Sequence, residues 1–142
     1  MNSEPWNSLQ ALISAVGRTA GRLVALDACE GAAGNLSIFF QWTDEIEDLF
    51  PHRKQIELPV PAPALAGGVC LVTGSGQRLG DIPHNPLGTL GIIRIEKTGT
   101  EGTLYTADAC GFERVTSEFN SHLAVHQERI ARLRVRHLPH LH

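Results

Sequence analysis

The stretch RVTSEFNSHLAVHQERI, residues 114–130, places two hydroxyls and a carboxylate at the predicted start of a helix. Thr116 or Ser117 can cap the first N–H groups, and Glu118 suits the positive end of the helix dipole. Free N–H groups and hydroxyls at a helix N-terminus also bind phosphate, and a carboxylate beside them suits general acid/base catalysis. An ordinary cap and an anion site with an acid/base are both open at this point.

Two glycine-rich segments earlier in the chain offer similar chemistry. EGAAGNLSI contains Gly34, Asn35 and Ser37, which suit either a tight turn or a loop that approaches an anion. LVTGSGQRLGDI is either a phosphate-binding loop, in which several bare backbone N–H groups and two hydroxyls face the anion, or a simple turn. Its candidate residues are Thr73, Gly74, Ser75 and Gly76. A dinucleotide fingerprint is excluded, because that fingerprint needs a helix directly after the glycines and DIPHNP follows instead.

The histidines divide into two groups. His122 and His126 lie four apart on the predicted helix, but no acid stands between them as in H-E-x-x-H, so we predict partly buried or surface histidines. His140 and His142 form an H-x-H pair near the chain end. In extended chain this pair shares one face and can offer two imidazoles to zinc; a frayed tail is the alternative.

Composition indicates a single domain over residues 1–142, with a net charge of −3 and interspersed charges. The charge distribution does not suggest a nucleic-acid-binding surface, and the sequence has no apolar run long enough for a membrane span. We expect no nucleic-acid or membrane partner and a cytoplasmic location, since the N-terminus lacks a signal-peptide layout. Cys29, Cys70 and Cys110 indicate neither a disulfide framework nor a thiolate zinc site.

Hydrophobic spacing predicts an α+β fold with helices that cover a sheet. A first helix, with Asn2 or Ser3 as its cap and Pro5 in its first turn, should end near residues 29–31. A short helix capped by Thr43 or Asp44 follows a strand. The predicted strands are NLSIFFQW, QIELPV, a fully buried GVCLVT, and a hairpin in LGTLGIIRIEKTGTEGTLYTA; the Glu118 helix comes last.

The order of these motifs over about residues 8–131 resembles the class II aldolase/adducin family, in its rhamnulose-1-phosphate and fuculose-1-phosphate aldolase branch. The resemblance implies an α/β/α three-layer sandwich around a mixed, largely antiparallel sheet. It also implies zinc held by three histidines and a substrate phosphate among three loops. By position, the implied phosphate-binding residues are Gly34, Asn35, Ser37, Thr73, Gly74, Ser75, Gly76, Thr116 and Ser117, and the implied acid/base is Glu118.

The implied reaction is reversible cleavage of a ketose 1-phosphate to dihydroxyacetone phosphate and an aldehyde, by a protein expected to form homo-oligomers. The resemblance fades after Arg132, so residues 133–142 are interpreted as a divergent tail, in which His140 and His142 stand in for two metal ligands. The third ligand of the family is missing. The chain is therefore expected to be truncated, and a non-catalytic adducin-like binding domain or an inactive fragment is the alternative.

Overall fold

A computed structural model describes residues 8–25 and 34–137 of the chain. Helices and strands are interspersed along this part. The helices are α1 (Leu9–Ala25), α2 (Ile46–Leu49), α3 (Pro86–Thr89) and α4 (Phe119–His137), and two 3₁₀ turns span Pro63–Leu65 and Leu79–Asp81. The strands are β1 (Ser37–Gln41), β2 (His52–Glu57), β3 (Gly68–Thr73), β4 (Leu90–Ile95) and β5 (Glu101–Thr106).

The strands form one five-stranded sheet in the order β1-β3-β4-β5-β2. All four pairings within the described residues are antiparallel. The predicted hairpin is β4 and β5, joined through a turn in which Gly99 has a φ of 73°. The α+β class is confirmed. The resemblance implied a mixed, largely antiparallel sheet, and in this part of the chain every strand pairing is antiparallel.

Helices cover both faces of the sheet, which gives three layers. β3 is buried at every position, as its unbroken apolar sequence predicted. Because neighbouring side chains on a strand point to opposite faces, Val69 and Leu71 pack in the cluster that includes α1, whereas Cys70 and Val72 pack with α4. The helices α1 and α4 therefore pack on opposite faces of β3, and β3 and the loop after it lie at the centre of the fold.

Side chains from two places fix the start of α1. Ser8 Oγ accepts a hydrogen bond from the N–H of Ala11 at 3.1 Å, and Glu45 Oε1 accepts one from the N–H of Leu9 at 2.9 Å. These bonds satisfy N–H groups that have no partner within the helix. The predicted cap at Asn2 or Ser3, Pro5 and the predicted helix end at 29–31 lie outside the described residues.

The predicted cap of α2 is wrong. Its N-cap position is Glu45, without a side-chain cap bond, and Thr43 contributes its backbone carbonyl to the turn instead. The Thr43 hydroxyl is buried without a hydrogen-bond partner. Glu45 stabilises α1 rather than its own helix, a tertiary contact that local sequence does not reveal.

The last helix, α4, carries the predicted apolar residues Phe119 and Leu123 into the core. It continues to His137, so the segment interpreted as a divergent tail from residue 133 begins inside this helix. No helix in the described part of the chain has the length and apolar character to cross a membrane. The single-domain boundaries remain a prediction.

Candidate functional site

Three segments that are far apart in sequence meet at one cavity of about 330 Å³. They are the chain before β1, the loop after β3 and the entry to α4. The cavity is lined by Gly34, Asn35, Gly74, Ser75, Gly76, Gln77, Arg78, Thr116, Ser117 and Glu118. The fold therefore brings together eight of the ten residues that the sequence proposed for the phosphate and the acid/base.

A direct hydrogen bond joins two of the three segments. Asn35 Nδ2 donates to Glu118 Oε2 at 2.8 Å. The bond fixes one carboxylate oxygen and leaves the second Nδ2 hydrogen of Asn35 to other acceptors. The proposed acid/base thus lies beside an amide that can also bind an anion.

The entry to α4 is a helix cap, as its sequence predicted. Thr116 Oγ1 accepts a hydrogen bond from the N–H of Glu118 at 3.3 Å. The N–H of Thr116 donates to the carbonyl of Thr73 at 2.9 Å, which ties this segment to the end of β3. Thr116 is buried, while Ser117 and Glu118 are exposed. The cap is therefore the role of Thr116, and the neighbouring hydroxyl and carboxylate are available to a ligand.

The glycine loop after β3 differs from the expectation of bare backbone donors. The N–H of Gly74 donates to the carbonyl of Thr89 at 2.9 Å, and the N–H of Ser75 donates to the carbonyl of Arg114 at 2.7 Å. A Cβ on Gly74 would lie 2.2 Å from the ring of Phe112, so this glycine allows close packing. Gly76 has a φ of 79°, which favours glycine. The expectation is wrong for the N–H groups of Gly74 and Ser75, and the Ser75 side chain remains exposed.

Thr73 and Ser37 do not line the cavity. Thr73 is buried, and its hydroxyl accepts a hydrogen bond from the N–H of Leu36 at 3.2 Å. Ser37 Oγ lies between two imidazoles, 2.7 Å from His122 Nδ1 and 2.8 Å from His126 Nε2. Thr73 joins β3 to the chain before β1, and Ser37 joins β1 to α4, so both hydroxyls connect the elements that form the cavity.

Sequence reasoning missed Arg78, the one cation among the residues that line the cavity. Its side chain is exposed, and Glu118 is the one acid in the same lining. A guanidinium binds phosphate with a planar set of donors. The available signal was a basic residue two positions after Gly76 in TGSGQR.

His122 and His126 are half-buried, as predicted. Burial lowers the pKa of His122, and the nearby charge of Glu118 opposes this shift. Burial also lowers the pKa of His126, with smaller contributions in the same direction from His122 and Arg129. Both imidazoles are therefore favoured in the neutral state.

The predicted metal ligands His140 and His142 lie outside the described residues. Within residues 8–25 and 34–137, no group of three or more His, Cys, Asp or Glu side chains is arranged to hold a metal ion. The zinc site therefore remains a prediction from the resemblance.

Comparison with known proteins finds relatives among the rhamnulose-1-phosphate aldolases. The chain is 30% identical over 107 residues to a rhamnulose-1-phosphate aldolase of Yersinia pseudotuberculosis serotype IB (strain PB1/+), which covers 66% of this chain and 36% of the relative. A rhamnulose-1-phosphate aldolase of Yersinia pestis (strain Pestoides F) is 29% identical over the same length and coverage. No family model matches the chain.

The crystal structure of a sugar-phosphate aldolase from Thermotoga maritima has a similar fold, with a TM-score of 0.66 and 18% sequence identity. The match covers 84% of this chain and 47% of that one. The chain thus spans about a third of the length of the curated relatives it matches. The chain is thus similar in sequence to part of rhamnulose-1-phosphate aldolases and similar in fold to part of a sugar-phosphate aldolase.

Proposed function

We propose that the cavity between the three loops binds the phosphate of a ketose 1-phosphate such as rhamnulose 1-phosphate, and that Glu118 moves a proton in aldolase-type carbon–carbon cleavage. The convergence of Asn35, Ser75, Ser117 and Glu118 on one cavity carries the proposal. The names of the relatives support the choice of substrate class.

The cavity offers donors of two kinds to a phosphate. Ser75 and Ser117 supply exposed hydroxyls, and Asn35 supplies the amide hydrogen that Glu118 does not use. Arg78 adds a positive charge at the rim. Neutral donors that the fold already holds in place would fix the distance between the phosphate and the reacting carbons. The guanidinium would contribute to affinity and to selection of a dianion over a neutral sugar.

Glu118 would supply the proton transfer that cleavage requires. When the carbon–carbon bond breaks, the hydroxyl that becomes the aldehyde loses its proton. The dihydroxyacetone phosphate half must gain a proton at the carbon that loses its partner. A carboxylate that accepts one proton and later donates one fits this exchange. The Asn35 amide orients Glu118 while the phosphate loops hold the other end of the substrate.

The proposal retains the predicted zinc, which would polarise the substrate carbonyl when bound. His140 and His142 are its proposed ligands. Cytoplasmic location and homo-oligomer formation also stay predictions. Binding of a sugar phosphate without cleavage, as in an adducin-like domain or an inactive fragment, is the alternative.

A binding and turnover experiment separates these possibilities. The ¹⁵N-labelled full chain is titrated with rhamnulose 1-phosphate, and production of dihydroxyacetone phosphate is measured with and without added Zn²⁺. We expect amide shifts at Asn35, Ser75 and Ser117. Ser75→Ala should weaken binding, whereas Ser14→Ala, an exposed serine on α1, should not. Binding without product favours the alternative, and absence of binding contradicts the proposal.

A further inference from the structure

A chain of side-chain hydrogen bonds runs from the side of α4 to the candidate acid/base. His126 Nε2 contacts Ser37 Oγ at 2.8 Å, and Ser37 Oγ contacts His122 Nδ1 at 2.7 Å. His122 Nε2 contacts Asn35 Oδ1, and Asn35 Nδ2 donates to Glu118 Oε2 at 2.8 Å. Four bonds thus connect five side chains, three of which, Ser37, His122 and His126, do not line the candidate phosphate cavity.

The carboxylate of Glu118, at one end of the series, determines which atom is the donor in each hydrogen bond. An ionised carboxylate only accepts hydrogen bonds, so Asn35 must present its NH₂ to Glu118 and its oxygen to His122. His122 must then donate through Nε2–H. In the neutral ring Nδ1 carries a lone pair, which accepts the single proton of the Ser37 hydroxyl. The oxygen of Ser37 is left to accept from His126.

The spacing of the two histidines makes the arrangement possible. Residues four apart on a helix lie on one face, so His122 and His126 both reach the hydroxyl of Ser37 at the start of β1. A packing role alone requires only that the two rings fill space beside β1. It does not require that both rings contact one hydroxyl while the far nitrogen of His122 contacts Asn35.

We propose that His122, held in its Nε2–H form by Ser37, is a positioning residue that fixes the amide of Asn35 and so orients Glu118. The catalytic meaning of this role rests on the proposed function, but the bond directions do not. With Asn35 fixed, one Nδ2 hydrogen binds Glu118 and the other can face a bound phosphate. Without His122, the amide is free to rotate away from both.

The charged groups around the histidines are consistent with neutral rings. Glu118 is the charged neighbour of His122, while His126 is near His122 and Arg129. Burial dominates over these charges and lowers the pKa of both rings. A neutral His122 is required, because a proton on Nδ1 would remove the acceptor that Ser37 uses.

The first test replaces Ser37 and follows both histidines by NMR titration of the full chain. Ser37 donates to His122, which stabilises the neutral ring, so Ser37→Ala should raise the measured pKa of His122. His126 donates to Ser37 in either charge state, so its pKa should fall or stay. Ser37→Thr keeps the hydroxyl and should restore both values. A fall at His122 or a rise at His126 would overturn the assigned directions.

The second test measures the Asn35 amide directly. His122→Ala should shift the side-chain NH₂ resonances of Asn35 and weaken inorganic phosphate binding several-fold. His126→Ala is the matched control. It removes a ring from the same face of α4, but in the series of hydrogen bonds that ring contacts Ser37 and not Asn35. An unchanged Asn35 resonance in His122→Ala refutes the positioning role. If the wild-type chain binds no phosphate, the proposed function fails, and the Asn35 resonance still decides this inference.

Discussion

At the scale of single residues, a substitution of Glu118 can distinguish a role at the helix start from a role in catalysis. Thr116 provides the cap bond at this helix start, so the carboxylate of Glu118 is not needed for that purpose. In a turnover-competent preparation, Glu118→Gln should lower kcat by roughly 10²–10⁴-fold because the amide cannot exchange a proton. The melting temperature should hardly change. Measured kcat equal to that of the wild type would return Glu118 to a structural role.

Arg78 gives a second prediction. If the guanidinium of Arg78 binds phosphate, Arg78→Gln should weaken binding of inorganic phosphate by roughly 1.5- to 5-fold, the range for an exposed charge pair. The loss should shrink at high ionic strength because salt screens exposed charges. Arg18→Gln, an exposed arginine on α1, is the matched control. Calorimetry measures the phosphate affinity of both variants. If Arg78→Gln and Arg18→Gln weaken it equally, the loss reflects net charge and Arg78 does not bind the phosphate.

The two histidines predict a pH dependence of stability. Their pKa values are lowered in the fold, so the unfolded chain binds more protons as the pH falls below about 6.5. The free energy of unfolding should be largest above that pH and should decrease toward the lowered pKa values. The double variant His122→Gln, His126→Gln should flatten this slope, while His84→Gln, at an exposed site, should keep it. Urea unfolding at several pH values measures both.

The sequence predicted the residues of the cavity better than it predicted their roles. The cap at Thr116 is a local interaction, and helix-start chemistry was sufficient to predict it. Thr73 and Ser37 were assigned to phosphate, but their partners Leu36, His122 and His126 lie far along the chain. A hydroxyl next to glycine has the same sequence pattern whether it binds a ligand or another strand.

At the scale of secondary structure, β3 offers a chemical probe of the sheet centre. Burial raises the pKa of the Cys70 thiol to about 12, and the thiolate is the reactive form. In a Cys29→Ser, Cys110→Ser variant, alkylation of Cys70 should therefore be slow under native conditions. It should accelerate steeply as urea opens the sheet. Alkylation in buffer at the rate of the unfolded chain would show that β3 is not the stable centre.

The elements with strong local patterns were predictable, since β3 has an unbroken apolar sequence and the β4–β5 hairpin has a Gly/Thr turn. The pairing of β2 with β5 was not predictable, because β2 is largely exposed and its sequence does not specify a partner. The Glu45 bond to α1 was missed for a similar reason: its partner belongs to another layer.

At the scale of the whole molecule, β1 ends the described sheet and pairs there with β3 alone. Beside it, Val125 and Leu133 on α4 are exposed at 54% and 45%. Open strand edges and apolar surface favour association. We expect concentration-dependent oligomers in sedimentation. Val125→Lys with Leu133→Lys should reduce association, whereas Ala124→Lys, on an already exposed position, should not. A monodisperse monomer with a cooperative melt would contradict this expectation.

The strand order also has a consequence for synthesis of the chain on the ribosome. β3, β4 and β5 are neighbours in sequence and in space, so they can pair as soon as they emerge. β2 is made before all three, yet its partner β5 is made last. Until Glu101 has left the exit tunnel, β2 has no strand partner in a nascent chain, and its pairing is complete only when Thr106 has emerged. Translation pauses just before β5 should therefore prolong exposure of this segment to chaperones and proteases.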